Sequence, residues 1–119
     1  MVEKFKLILK KIEEQKGKTR LFAILKMDDI TDKWTVILSA PWTSEENHME
    51  DFIFLRKLMI ESFSKEEMAT IARIGIFAKQ DHIVEELLKY QEGSIINQDE
   101  KVNGNIVHEA FILASDVNI

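Results

Sequence analysis

The chain has no cysteine, one proline and four glycines among 119 residues. The lack of cysteine excludes disulfides, thiolate nucleophiles and cysteine-ligated zinc. Little proline and glycine argues against a disordered linker or a low-complexity tract. No apolar run approaches the roughly 20 residues of a membrane span, and the amphipathic, lysine-rich N-terminus does not have the pattern of a signal peptide. We therefore predict a cytoplasmic protein with no membrane partner.

What is present is ordinary globular composition, 45% hydrophobic and 31% charged. A chain of this length predicts a single α/β domain over residues 1–119. The net charge of −5 is unevenly distributed, because the first 20 residues hold seven basic residues against three acidic ones. This basic segment is either a solvated helix face or a surface for an acidic partner. The acidic remainder of the chain disfavours nucleic acid as the partner.

The spacing of apolar residues predicts the element order α-β-β-α-α-β-α-β-β. Helices are expected at 2–16, about 43–62, 64–70 and 82–93, and strands at 20–27, 34–40, 71–78, 94–97 and 106–115. The first two strands form an antiparallel hairpin around a polar turn at 28–33. The crossover from the second strand through a helix to the third predicts a parallel pair. The expected fold is α/β (in the broad sense α+β), with a mixed sheet of four or five strands packed with helices.

Both tryptophans and the proline lie close together, between Trp34 and Trp42. Pro41 fixes its own φ and favours extended geometry in the residue before it, so the second strand should end there. We expect Trp34 to be buried and Trp42 to be partly exposed beside a concavity. Because ligands and partners dock at strand-to-helix corners of α/β sheets, Trp42 is predicted to be part of a binding surface.

The long helix at 43–62 carries apolar residues on more than one side. At 100° per residue, the predicted core-facing stripe consists of Met49, Phe52, Ile53, Met59, Ile60 and Phe63. Phe54 and Leu58 then fall on the opposite, charged side, one turn apart. Such a pair is covered either by another element of the same chain or by another chain. We predict the second arrangement, with a homodimer as its simplest form.

The sequence contains no phosphate-binding glycine loop, no dinucleotide fingerprint and no paired-histidine helix motif. The predicted function is therefore a non-catalytic interaction or regulatory domain that self-associates as a homodimer. Trp42, Phe54 and Leu58 form its expected binding surface. No cofactor and no metal are expected.

The alternative is a ligand-binding or hydrolytic domain with a polar pocket at the strand ends. Ser39, Trp42, Asp81 and His82 would surround this pocket. In a Ser-His-Asp triad the acid bonds the imidazole nitrogen that faces away from the serine. Asp81 directly precedes His82 in the sequence and is poorly placed to do this. Arg56 and Arg73 lie in predicted core elements and are either structural ion-pair partners or an anion site.

Three further alternatives involve metal ions. Clustered carboxylates in the turn at 28–33 could hold a divalent cation, although polar turns are rich in aspartate in any case. The run at 99–101 has the acid-then-lysine order of some metal-dependent nucleases but lies in a predicted loop. Distant histidines could converge on one ion with carboxylate oxygens, and these are His48, His82 and His108 with Asp81, Glu109 or Glu46.

Overall fold

The computed structural model describes residues 1–30 and 32–119. The predicted turn at 28–33 includes Thr31, which lies outside the described residues. The described part of the chain forms four helices and six strands: α1 (Val2–Lys16), β1 (Leu21–Met27), β2 (Trp34–Ser39), α2 (His48–Ser62), α3 (Lys65–Ala69), β3 (Ile71–Ile76), α4 (His82–Leu87), β4 (Ile95–Ile96), β5 (Glu100–Val102) and β6 (Asn105–Ser115).

All six strands belong to one sheet in the order β3-β2-β1-β6-β4, with β5 also paired to β6. β2 and β3 are parallel, and the other pairs are antiparallel. The mixed sheet, the first hairpin and the parallel crossover are thus confirmed. The sheet has one strand more than expected, because β5 lies in a segment predicted to be a loop. β5 forms because the long strand β6 extends beyond β4 and offers β5 a partner.

Helices cover both faces of the sheet. On one face, α1 and α2 pack on alternate residues of β1 and β2, including Phe22 and Val36. On the other face, α4 packs on the intervening residues, including Ala23 and Ile37. Both strands are buried along nearly their whole length, which explains why each reads as an almost continuous apolar run.

Local turn and cap signals give mixed results. Ser64 and Glu67 form a capping box at the start of α3, and the turn between β5 and β6 has positive φ at Asn103 and Gly104, as an Asn-Gly hairpin requires. The helix expected from about residue 43 begins only at His48. The Thr43 hydroxyl instead bonds both backbone groups of Ala40, which closes the corner around Pro41. α4 also ends at Leu87, before the predicted limit at Gly93.

The prediction of which side of α2 faces the core is only partly right. Met59 and Phe63 of the predicted core stripe are buried, but Met49, Ile53 and Ile60 are exposed. Leu55 and Leu58, which lie outside that stripe, are buried in the core instead. The reason is that α2 has apolar residues on nearly every side, so the direction of greatest hydrophobicity does not decide its orientation. A buried carboxylate, Asp51, lies on the inner face as well and makes that face look polar in the sequence.

Candidate interaction surface

The exposed side of α2 carries a stripe of large apolar side chains. Met49, Ile53 and Ile60, here called the outer stripe, are 57%, 57% and 47% exposed. At 100° per residue these three positions fall within an arc of about 40°. They line one side of the helix over most of its length. A groove on this side is lined by Ile53 and Ile60 together with Phe52 and Arg56. Isolated exposed aliphatic side chains are common on protein surfaces, but an aligned set is typical of a contact surface.

β3 forms an open edge of the sheet next to this helix. Among the strands of the described residues it pairs only with β2, and α2 packs against it. The Phe77 amide, just beyond β3, donates to the Leu38 carbonyl of β2. The backbone N–H and C=O groups of successive residues point alternately to the two sides of a strand. The backbone groups of Arg73 and Gly75 therefore also face β2. The backbone groups of Ile74 and Ile76 therefore point away from the sheet.

The β3 edge has few of the features that keep edge strands from pairing with other chains. β3 contains no proline and no lysine, and it is six residues long. A register shift makes Ala72 an extra residue opposite β2, but this bulge lies near the beginning of the strand. On the other side of the sheet, β4 has two residues and β5 has three. Hence β3 is the long open edge of the sheet.

A cavity of about 740 Å³ runs along β3 and joins this edge to α2. Its lining includes Phe52 and Arg56 of α2, Met68 of α3 and Ile74 of β3. The outer stripe and the open edge are thus parts of one continuous surface. We call the outer stripe together with Ile74, Gly75 and Ile76 the α2–β3 surface.

Gly75 gives this edge a close contact on the opposite sheet face. A Cβ atom built on Gly75 would lie 2.4 Å from the Phe77 ring, so the absence of a side chain lets that ring lie against the strand.

Of the two predicted binding residues on α2, Leu58 is buried and Phe54 is half-buried. Leu58 is 6% exposed within the core between α1, α2 and the sheet, and Phe54 packs against that core. The Phe54 ring also contacts Trp42 edge-on, with centroids 6.2 Å apart, and the Lys16 ammonium lies 5.1 Å from its centroid. The covering elements are therefore supplied by the same chain.

Trp34 is buried and Trp42 is partly exposed, as predicted. Trp42 Nε1 is buried without a hydrogen-bond partner among the described residues, and so is Asp51 Oδ2 of α2. Burial raises the pKa of the Asp51 carboxyl, and the positive charge of Lys16 opposes this effect. The Trp42 corner is thus packed mainly on its own chain.

The residues expected around a catalytic pocket do not form one. Ser39 is fully buried, and its Oγ accepts a 2.7 Å hydrogen bond from Arg20 Nη1. Asp81 Oδ2 accepts the Ala78 amide at 2.9 Å, while His82 is exposed and 4.0 Å from Glu85. Since the Ser39 hydroxyl has no exposed surface, the hydrolytic alternative has no accessible nucleophile at this position.

Arg20 is a polar residue of this region that sequence reasoning did not identify. Its guanidinium is buried, and Nη2 donates to the Ile119 carbonyl at 3.0 Å while Nε has no partner among the described residues. Burial lowers the pKa of Arg20. A polar cavity of about 550 Å³ opens beside it at the carboxyl ends of β2 and β3 and includes Thr43, Glu45 and Lys79 in its lining.

The two arginines predicted to be in core elements are both exposed. Arg73 makes a bidentate ion pair with Asp29, at 2.8 and 3.2 Å, and also donates to Thr35 Oγ1. This pairing ties β3 to the turn after β1 and agrees with the structural interpretation of Arg73. Arg56 lies at the border of the outer stripe and lines the cavity along β3.

In the part of the chain that the structure describes, no group of three or more histidine, aspartate or glutamate residues is placed to hold a metal ion. His108 instead lies between two carboxylates. Its Nδ1 is 2.7 Å from Asp99 and its Nε2 is 3.2 Å from Asp28. Hydrogen bonds to Asp99 and then to Asp28 raise the pKa of His108, because only the imidazolium donates from both ring nitrogens.

This arrangement predicts a pH-dependent contact between β6 and the segments at Asp28 and Asp99. A pKa raised by folding stabilises the folded chain below the unfolded-state value of about 6.5, and this stabilisation is lost as the pH rises through the folded-state pKa. We expect the melting temperature of the wild type to exceed that of His108→Gln at pH 5 and the difference to shrink by pH 9. NMR titration should also show a lower His108 pKa in Asp99→Asn. Identical His108 titrations in the two proteins would contradict the contact.

Comparison of the chain with protein-family models, with curated proteins and with solved structures finds no match. Over residues 1–30 and 32–119, no helix is both long enough and apolar enough to cross a membrane. The α2–β3 surface is therefore the feature from which a function can be inferred.

Proposed function

We propose that this chain is a self-associating interaction domain and that a second copy covers the outer stripe of α2. The observation that carries the proposal is the alignment of Met49, Ile53 and Ile60 on a helix whose opposite side already fills the core. Burying a large aliphatic side chain contributes about 1.5–3 kcal/mol. A two-fold contact buries each of these side chains in both copies.

The charges around the outer stripe favour a second copy as the partner. Four exposed charged residues of α2 lie around the stripe. Glu50 and Glu61 carry two negative charges, and Arg56 and Lys57 carry two positive charges. The stripe is therefore balanced in charge although the chain carries −5 overall, so two copies can meet there without net repulsion. An antiparallel two-fold contact also places the Met49 end of one helix near the Ile60 end of the other.

The proposal is tested by sedimentation equilibrium over a range of protein concentrations. We expect the wild type to dimerise and an Ile53→Glu/Ile60→Glu variant to dissociate roughly 100-fold more readily, because like charges then replace two apolar anchors. Circular dichroism should show an unchanged fold, since both side chains are exposed on the monomer.

Leu7→Ser provides the matched control for this experiment. Leu7 is 60% exposed on α1, so its replacement removes a comparable apolar surface from another helix. We expect its dimerisation to equal that of the wild type. A wild type that remains monomeric at every concentration, or a dimer that the two glutamates do not weaken, would show that the outer stripe is not the association surface.

A further inference from the structure

The outer stripe by itself is too small for a stable dimer. A specific interface buries about 800 Å² on each partner and involves about 20–30 residues a side, whereas the stripe consists of three exposed side chains. A dimer formed there needs adjoining surface. The cavity along β3 shares Phe52 and Arg56 with the groove that Ile53 and Ile60 line, so the open edge is the adjoining surface that the fold offers.

We propose, building on the self-association proposed above, that β3 pairs antiparallel with β3 of the second copy and joins the two sheets into one. β2 and β3 are parallel strands connected through α2. The chain therefore returns along α2, so α2 runs in the direction opposite to β3. A two-fold axis perpendicular to the sheet at the β3 edge makes both the strands and the α2 helices antiparallel. Strand pairing and contact of the outer stripes are then parts of the same interface.

The register follows from the backbone groups that point outward. Pairing centred on Gly75 sets Ile74 opposite Ile76 of the second copy and uses the free groups of both residues, for about four backbone hydrogen bonds. Gly75 meets its own counterpart as a non-hydrogen-bonded pair, where the backbones approach most closely and a missing side chain is favourable. The bulged Ala72 lies outside this pairing.

Amide hydrogen exchange measured by NMR tests the pairing directly. In the dimer, the outward amides of Ile74 and Ile76 should be protected, and this protection should fall by at least about tenfold when the dimer is dissociated by dilution or in Ile53→Glu/Ile60→Glu. The amide of Phe77, which bonds β2, should change much less and serves as the internal control. Rapid exchange at Ile74 and Ile76 in a confirmed dimer would overturn the strand pairing and leave the contact of the outer stripes in place.

A substitution gives a second measurement. Ile74→Pro removes an outward donor and should leave the hydrogen bonds to β2 intact, because proline is tolerated at an edge whose N–H faces solvent. We expect it to weaken dimerisation at least about tenfold, while Ile74→Val, which keeps the N–H, changes it less than about threefold. Equal dimerisation of the two variants, with circular dichroism confirming that both are folded, would overturn the pairing. A wild type that never dimerises would contradict both this proposal and the self-association on which it builds.

Discussion

Replacing Leu58 by alanine is expected to lower the free energy of unfolding by about 2–5 kcal/mol, the range found for leucine truncation in protein cores. Leu58 lies in the core formed by α1, α2 and the sheet. Truncation removes buried apolar surface and leaves a cavity that rigid neighbours fill incompletely. Urea denaturation followed by circular dichroism measures the change.

Ile53→Ala is the control for Leu58→Ala, because it shortens a side chain on the opposite side of the same helix. Measured at a concentration where the chain is monomeric, it should change the free energy of unfolding by less than about 0.5 kcal/mol. The two variants thus separate the core side of α2 from its outer side. Similar losses in both would contradict the orientation of α2 described above.

Thr43→Val is expected to cost about 1–3 kcal/mol, because it leaves the buried Ala40 amide without its partner. The Ala40 carbonyl still accepts the Thr43 amide at 3.0 Å. The Thr43 hydroxyl accepts the Ala40 amide at 3.1 Å and lies 2.7 Å from the Ala40 carbonyl. It is also 3.2 Å from the carbonyl of Phe77. Valine has nearly the same shape but no hydroxyl, so the loss isolates these hydrogen bonds. Urea titration followed by tryptophan fluorescence measures it.

Thr43→Ser retains the hydroxyl and serves as the comparison for Thr43→Val. Its loss should be clearly smaller, since it removes one methyl group and keeps the bonds to Ala40. If serine and valine destabilise the chain equally, the hydroxyl does not hold this corner. The expected order would instead establish that the segment around Pro41 is structural, in addition to any role of Trp42 in binding.

Elements with local signals could be predicted from the sequence. α1 shows helical spacing up to Gly17, and the capping box at Ser64 correctly places α3. The strands β1 and β2 were found because both are almost entirely apolar. In contrast, β5 is three residues long and mostly exposed, so its pairing depends on β6 rather than on its own composition.

The candidate surface could be predicted only in part. The sequence indicates that α2 has more apolar surface than one core-facing side needs, and the structure agrees. Which side is buried depends on how α1, Trp42 and the sheet pack around the helix, and the spacing of residues within α2 does not contain that information. The open edge at β3 was also hidden, because the order of strands in the sheet follows from tertiary pairing.

The position of β1 has a consequence for the course of folding. β1 lies inside the sheet and pairs with β6, so that Ala23 is joined to Ile112 across almost the whole length of the chain. Contacts between such distant residues form slowly, because the entropy cost of closing the loop between them precedes the stabilisation by strand pairing. Until β6 arrives, the apolar strand β1 has one open side. We therefore expect the side of β1 that later pairs with β6 to be prone to aggregation in newly made chains, although it lies at the centre of the finished sheet.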